Sequence, residues 1–404
     1  MKKCTKILPL LFCLLALAAA TKTNAQTAPS IQWQKAIGGT GNDVAQSIQH
    51  TADGGYIVAG YTSSNNGEVS GNNGGTDCWV IKLDGAGNLQ WQKTFGGSGL
   101  DYARSIQPTA DGGYIIAGFT GSNDGDVSGN HRDGDCWVVK LDSSGNLQWQ
   151  KAIGGAGLDE AYSIQTTADN GYIIAGKTTS NDSDGTHGVD CWVVKLGSTG
   201  GLQWQKTFGG TGEDVAKIIK PTADGGYIMA GYTESNNGDI SSNHGEGDAW
   251  VVKLDSMGIL QWQKTFGGTS DDGATSIFPT ADGSYVMAGY TGSKDGDVSG
   301  NHGGYDYWVI KLSSKGILQW QNTFGGTGDD KANTLQPTDD GGYIVAGYSL
   351  TTSINGNVSG NGGADYRVAK LDSTGSLQWQ KALGGTTDDY AYSVQPTSDG
   401  GYIV

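Results

Sequence analysis

The chain alternates short apolar runs with breaks rich in glycine and aspartate, and the alternation recurs at a fixed interval. The clearest stretch is Asp135-Cys136-Trp137-Val138-Val139-Lys140-Leu141-Asp142-Ser143-Ser144-Gly145-Asn146-Leu147-Gln148-Trp149-Gln150-Lys151. It reads as two strands joined by a tight Asp-Ser-Ser-Gly-Asn turn, with a tryptophan on each strand. The second tryptophan returns at Trp33, Trp91, Trp149, Trp204, Trp262, Trp320 and Trp379, in steps of 58, 58, 55, 58, 58 and 59 residues. The first returns at Trp79, Trp137, Trp192, Trp250 and Trp308, with Arg367 once in its place. The two series use all twelve tryptophans. A period of this size marks a repeat architecture rather than a string of unrelated domains.

Each repeat predicts four short strands. In the second repeat they cover 104–108, 114–120, 136–141 and 147–153, where β-branched and aromatic residues alternate between clusters of Gly, Asp and Asn. No stretch keeps a helical period. The first two strands are joined by Thr109-Ala110-Asp111-Gly112-Gly113, and Asp-Gly is a strong hairpin signal. Its aspartate recurs as Asp53, Asp111, Asp169, Asp224, Asp282, Asp340 and Asp399, which turn chemistry explains without a function. Repeated four-stranded units predict an all-β fold, a β-propeller. Neighbouring blades cover both faces of each sheet, which fits 136–141, apolar on both sides except for one lysine. Residues 31–404 hold six full repeats and part of a seventh. The expectation is a seven-bladed ring in which an N-terminal strand at 31–38 closes a last blade truncated at Val404, with six or eight blades as the alternatives.

Composition refines this picture at the N-terminus. Lys2, Lys3 and Lys6 precede an apolar run from 7 to 20, and Thr23-Asn24-Ala25 offers a cleavage site. Residues 1–25 therefore read as a secretory signal peptide, and 26–30 as a short leader. Cleavage would remove four lysines and no acids, so 25 basic residues become 21 against 41 acidic ones, a net charge near −20. Such a surface repels nucleic acid and anionic membranes. No later stretch is apolar enough to span a bilayer. Cys78, Cys136 and Cys191 share one repeat position, which predicts buried small side chains rather than a disulfide framework.

The stretch from Val138 to Trp149 resembles the tryptophan-docking repeat of quinoprotein-type propellers: a Leu-Asp strand end, a Gly turn, then Trp four residues after the glycine. Gly-Tyr-Ile-Ile-Ala-Gly ahead of the Trp strand also resembles Kelch repeats, although the Kelch double glycine is absent. The whole of 31–404 is similar to the propeller repeats of about 58 residues found in bacterial secreted and surface proteins. Those proteins often leave the cell by the type IX system with a C-terminal sorting domain. The resemblance implies the fold and a secreted or cell-surface location. It implies no particular activity.

Candidate chemistry gathers on one face. Loops alternate sides along each blade, so the long loop before each Trp strand shares a face with the loop between blades. The interblade loop carries Asp43, Asp101, Asp159, Asp214, Asp272, Asp330 and Asp389, which read as a repeated blade-joining contact. In the long loop, Asp124, Asp126 and Ser128 stand at positions one, three and five, Gly129 at six and Asp135 at twelve. That is the spacing of a calcium loop. Asp295, Asp297, Ser299 and Asp306 repeat it, with weaker copies from Asn66 and Asn237 and a sixth holding Asn355 and Asn357. The bland alternative is an Asx-rich surface loop. His131, His187, His244 and His302 fall one per repeat and read as exposed loop residues.

The sequence thus predicts a monomeric, non-catalytic binding, adhesion or scaffold module. It would take a protein or glycan ligand on the acidic loop face, with calcium as a stabiliser. The alternative is a propeller enzyme, a quinoprotein-like oxidoreductase or a glycan-acting enzyme. That reading needs blade-specific polar residues at the central channel, and the near-identical repeats offer no evident set.

Overall fold

The computed structural model describes residues 27–180, 188–350, 353–354, 358–359 and 362–404. The expected signal peptide at 1–25, His187, Asn355 and Asn357 lie outside the described residues. The described chain builds six four-stranded antiparallel sheets, each in chain order. In the second blade the strands are Asp101–Pro108, Tyr114–Thr120, Asp135–Leu141 and Leu147–Ile153. The predicted strands are therefore found, the first and third starting a little earlier than expected.

A bulge between Ala103 and Ser105 bends the innermost strand of this blade. There the Tyr102 carbonyl oxygen would lie 1.8 Å from any β-carbon on Gly118. Only glycine admits so close an approach. Gly60, Gly176, Gly231, Gly289 and Gly347 meet the same carbonyl in the other blades.

The core lies between blades. One cluster joins Ile57, Ala59, Cys78 and Val80 of the first blade to Ile106, Ile116, Trp137 and Leu141 of the second. Its third-strand tryptophan is fully buried, and its indole N–H donates to Gln150 Oε1 at 2.8 Å. The outer-strand tryptophan reaches across the junction, so Trp91 lies over Tyr114 of the next blade at 6.1 Å. A backbone latch completes each junction: Asp101 N–H donates to the Thr76 carbonyl at 2.6 Å, and Asp214 N–H to that of Val189 at 2.6 Å.

The expected seven-bladed, truncated ring is corrected to a closed ring with six four-stranded blades. A two-stranded sheet, Gln395–Pro396 with Tyr402–Ile403, bridges the sixth blade and the first. Ala391 and Val394 pack on Ile344, Ala346 and Val368 of one, and Ile403 on Ile48, Val58 and Trp79 of the other. Gln395 Nε2 donates to the Ile48 carbonyl at 3.3 Å, and His50 Nε2 lies 2.7 Å from the Pro396 carbonyl. The expected strand at 31–38 is also corrected, because these residues have no strand pairing. The bridging sheet has two strands and presents no third strand for them to pair with. Side-chain packing makes the clasp instead: Trp33 lies over Tyr56 at 6.3 Å, as Trp91 lies over Tyr114.

Candidate functional site

The innermost strands surround a central channel of about 320 Å³. Each repeat contributes the residue that follows the alanine of its Asp-x-Ala motif: Gln46, Arg104, Tyr162, Lys217, Thr275, Asn333 and Tyr392. Three residues further on stand Gln49, Gln107, Gln165, Lys220, Gln336 and Gln395, with Phe278 in the fifth blade. The first series changes from blade to blade while its neighbours repeat. A blade-specific polar set therefore exists, contrary to the expectation from the repeats. Aligning the repeats column by column on that alanine would have exposed it.

These side chains form a charged and aromatic network. Arg104 Nε donates to Glu160 Oε1 at 2.9 Å, and the Tyr162 hydroxyl donates to Glu160 Oε2 at 2.9 Å. Burial and the Glu160 charge push the Tyr162 phenol well above its ordinary range. Lys217 Nζ sits 3.9 Å from the centre of the Tyr162 ring. Desolvation lowers the Lys217 and Lys220 ammonium groups to about 8, with Glu160 and Glu213 opposing the shift at Lys217. Tyr392 lines the channel and stays 39% exposed, and Tyr390 stacks on it at 6.2 Å.

Around this channel the acidic face is a set of blade-joining contacts. Asp101 is fully buried and accepts hydrogen bonds from Gly97 N at 2.9 Å, Thr120 Oγ1 at 2.5 Å and Ser122 Oγ at 2.6 Å. The expected structural role of the interblade aspartates is what the geometry provides. Asp77, on the preceding blade, is buried beside it. A β-carbon on Gly96 would lie 2.7 Å from both Asp77 Oδ1 and Asp101 Oδ2, so the two carboxylates flank one glycine. Burial, with the Asp101 and Asp126 charges, raises Asp77 to about 6, against the opposing pull of the Asn73 N–H. Asp77 Oδ1 has no hydrogen-bond partner, nor do the matching oxygens of Asp135, Asp248 and Asp306.

The histidines belong to this arrangement. His131 Nδ1 lies 2.7 Å from Asp135 Oδ2, His244 Nδ1 2.5 Å from Asp248 Oδ2, and His302 Nδ1 2.7 Å from Asp306 Oδ2. The three imidazoles are exposed in loops, as expected, and each also caps a buried carboxylate. The i, i+4 spacing repeated three times was the available signal.

The residues with calcium-loop spacing are engaged with separate partners. Asp124 Oδ1 accepts from Ser98 N at 2.7 Å, Asp126 Oδ2 from Gly96 N at 3.3 Å, and Ser128 Oγ from Gln150 Nε2 at 2.7 Å. Asp295 Oδ1 accepts from Thr269 N at 2.8 Å, the Asp297 N–H donates to the Gly267 carbonyl at 3.0 Å, and Ser299 Oγ accepts from Gln321 Nε2 at 2.5 Å. Asp135 and Asp306 face their histidines. Among the described residues, no group of three or more His, Cys, Asp or Glu is placed to hold a metal ion.

On the opposite face, six of the hairpin aspartates hold the third-strand lysines, as Asp111 holds Lys140 at 2.9 Å; Asp111 falls to about 2, with hydrogen bonds and the lysine charge acting against desolvation. Cys78, Cys136 and Cys191 are unbridged and buried, and burial pushes their thiols up. No helix among the described residues is long and apolar enough to cross a membrane.

No family model matches the chain. The regulatory protein FlaEY of Caulobacter vibrioides is 24% identical over 413 residues, covering 91% of this chain but 42% of that protein's length. Among solved structures, the Neurospora crassa Pan2 WD40 domain aligns over 88% of this chain and 83% of its own, with a TM-score of 0.47 and 11% identity. BamB from Moraxella catarrhalis aligns over 85% of this chain and 79% of its own, with a TM-score of 0.39 and 17% identity. A protein of unknown function from Bacteroides caccae aligns over 78% and 92%, with a TM-score of 0.43 and 12% identity.

Proposed function

We propose that this propeller is an exported, non-catalytic binding module that takes a glycan at the mouth of its central channel. One observation carries the proposal. A rigid, repeated scaffold presents a ring, Gln46 to Tyr392, whose members differ from blade to blade. Packing does not require that variety, since each blade keeps the same core. Exposed tyrosines supply apolar faces for sugar rings, and the neighbouring serines and glutamines supply hydrogen bonds for hydroxyl groups. A protein ligand on the acidic loop face is the second reading, supported by the acids that crowd that face. The enzyme reading has less support, because Arg104 and the Tyr162 hydroxyl hold the Glu160 carboxylate that would serve as a base.

A signal peptide at 1–25 would place the module outside the cytoplasm, secreted or at the cell surface, and type IX export belongs to the same proposal. Calcium at the long loops also belongs to it. The ion would have to displace the Ser98 and Thr269 N–H donors from Asp124 and Asp295.

A glycan array probed with the intact chain tests the function. The control is Tyr392→Gln, which installs the residue that the first blade carries at this position. Retention of a defined glycan by the parent, and its loss in the variant, is the expected result. An unchanged profile in the variant removes the channel from the proposal.

A further inference from the structure

The channel holds two ammonium groups that pack on aromatic rings and have no anionic partner among the described residues. Lys217 and Lys220 lie on one strand, Asp214–Pro221, and both line the cavity. Elsewhere the lysines of the third strands each meet an aspartate, from Lys82–Asp53 at 2.8 Å to Lys311–Asp282 at 3.3 Å. Lys217 and Lys220 have neither an ion pair nor a hydrogen bond among the described residues. Lys217 rests on the Tyr162 ring, and Lys220 Nζ is 5.5 Å from the centre of the Phe278 ring. Glu160 and Glu213 reach Lys217 only through their fields, and no carboxylate offsets the desolvation of Lys220.

Neither ammonium is needed for folding. The Lys220 position is glutamine in five of the other repeats: Gln49, Gln107, Gln165, Gln336 and Gln395. The Lys217 position is glutamine in the first. A confined ammonium without a partner is unfavourable, and a bound anion would relieve that. The chain as a whole carries a net charge of −16, so two unpaired cations inside it form a local exception.

We infer that the channel recognises an acidic sugar, with Lys217, which belongs to the blade-specific ring, holding its carboxylate; Lys220 faces the opposite neighbouring blade and adds positive field. The inference rests on the glycan-binding reading above and names the sugar class. Apart from Arg104, which is paired with Glu160, the rest of the lining is neutral and includes groups suited to hydroxyls: Ser105, Ser163, Ser276 and Ser393, with the Tyr162 and Tyr392 rings. At about 320 Å³ the cavity is at the small end of small-molecule sites, which run from about 300 to 1,000 Å³. It suits one charged sugar unit rather than a long polyanion, which the acidic surface would repel.

Isothermal titration of the intact chain with glucuronate, glucose and sulfate tests this. Lys217→Gln, Lys220→Gln and Tyr392→Gln are the variants, each checked for an unchanged thermal transition. The expected result is glucuronate binding that weakens about tenfold or more in Lys217→Gln, the effect of losing one charge-assisted contact, and less in Lys220→Gln. Glucose should bind more weakly and ignore the lysine variants. Equal glucuronate affinity in the parent and Lys217→Gln overturns the inference. So does sulfate binding as tight as glucuronate, which would mark a general anion site. Glucose binding that needs Tyr392 but neither lysine leaves the glycan reading standing and removes the acidic sugar. Binding of none of the three removes both.

Discussion

Asp77→Asn should stabilise the protein, and by more at high pH. Asp77 is fully buried, and its Oδ1 faces Gly96 beside Asp101 without a hydrogen-bond partner. Its carboxyl is raised from 3.8 to about 6. A raised acid disfavours its charged form in the folded state. The resulting penalty is absent below the unfolded value, grows as pH rises and is complete above the folded value. At about 1.4 kcal/mol per unit, the full penalty is about 3 kcal/mol at pH 8 and about 1 kcal/mol at pH 4.5. The Asn side-chain oxygen can still accept the Asn73 N–H, now 2.8 Å from Asp77 Oδ2, and its amide can donate toward Asp101. Urea unfolding of parent and variant at pH 4.5 and 8.0, in EDTA, measures both differences. The gain should grow by about 2 kcal/mol between the two pH values. A variant no more stable than the parent at pH 8, or a gain equal at both pH values, refutes the reasoning. A variant weaker than the parent only when calcium is added would place a cation, not a repulsion, between the two acids.

Three further outcomes follow from the packing. Arg367→Trp should raise stability by about 1–3 kcal/mol in urea unfolding, because Arg367 is fully buried where other blades carry Trp, its Nε lacks a partner, and apolar replacement of a buried ion pair is often favourable. Asp124→Ala and Asp295→Ala should each lower the thermal transition slightly in EDTA, since each removes an exposed acceptor for an interblade N–H; a melt in calcium then shows whether the parent gains anything further from the ion. Trp33→Ala should cost about 2–3 kcal/mol and speed proteolysis of the N-terminal segment, because Trp33 covers Tyr56 at the ring closure.

The blade was legible because its signals agree. Tryptophan spacing gave the period, Asp-Gly and Asp-x-x-Gly-Asn gave the turns, and two-sided apolar strands gave burial between sheets. The two faces and the structural interblade aspartates followed from alternating strand direction. Ring closure did not follow, because it depends on how the bridging sheet and the Trp33 segment pack, and no repeat signal encodes that. The residues at 31–38 look like an outer strand by their tryptophan, yet a ladder needs a neighbouring strand as well as a pattern. The calcium-like spacing has a different origin in the fold. Asp124 accepts an interblade N–H, whereas Asp135 begins the next strand and faces a neighbouring blade, so positions one and twelve answer to separate contacts.

The channel was missed for the opposite reason. A repeat pattern displays what the blades share, whereas binding specificity on a symmetric scaffold resides in what they do not share. Arg367 shows that a departure from the repeat need not be functional. It stands in the tryptophan position, donates to the same glutamine position, Gln380, that the tryptophans use, and remains between blades. Lys217 and Lys220 differ from it in location and partners. They line open volume, lack the fold's usual aspartate partner, and replace residues the other blades manage without. Deviation, accessibility and an unmet charge together point to a ligand. Deviation alone points only to local repacking.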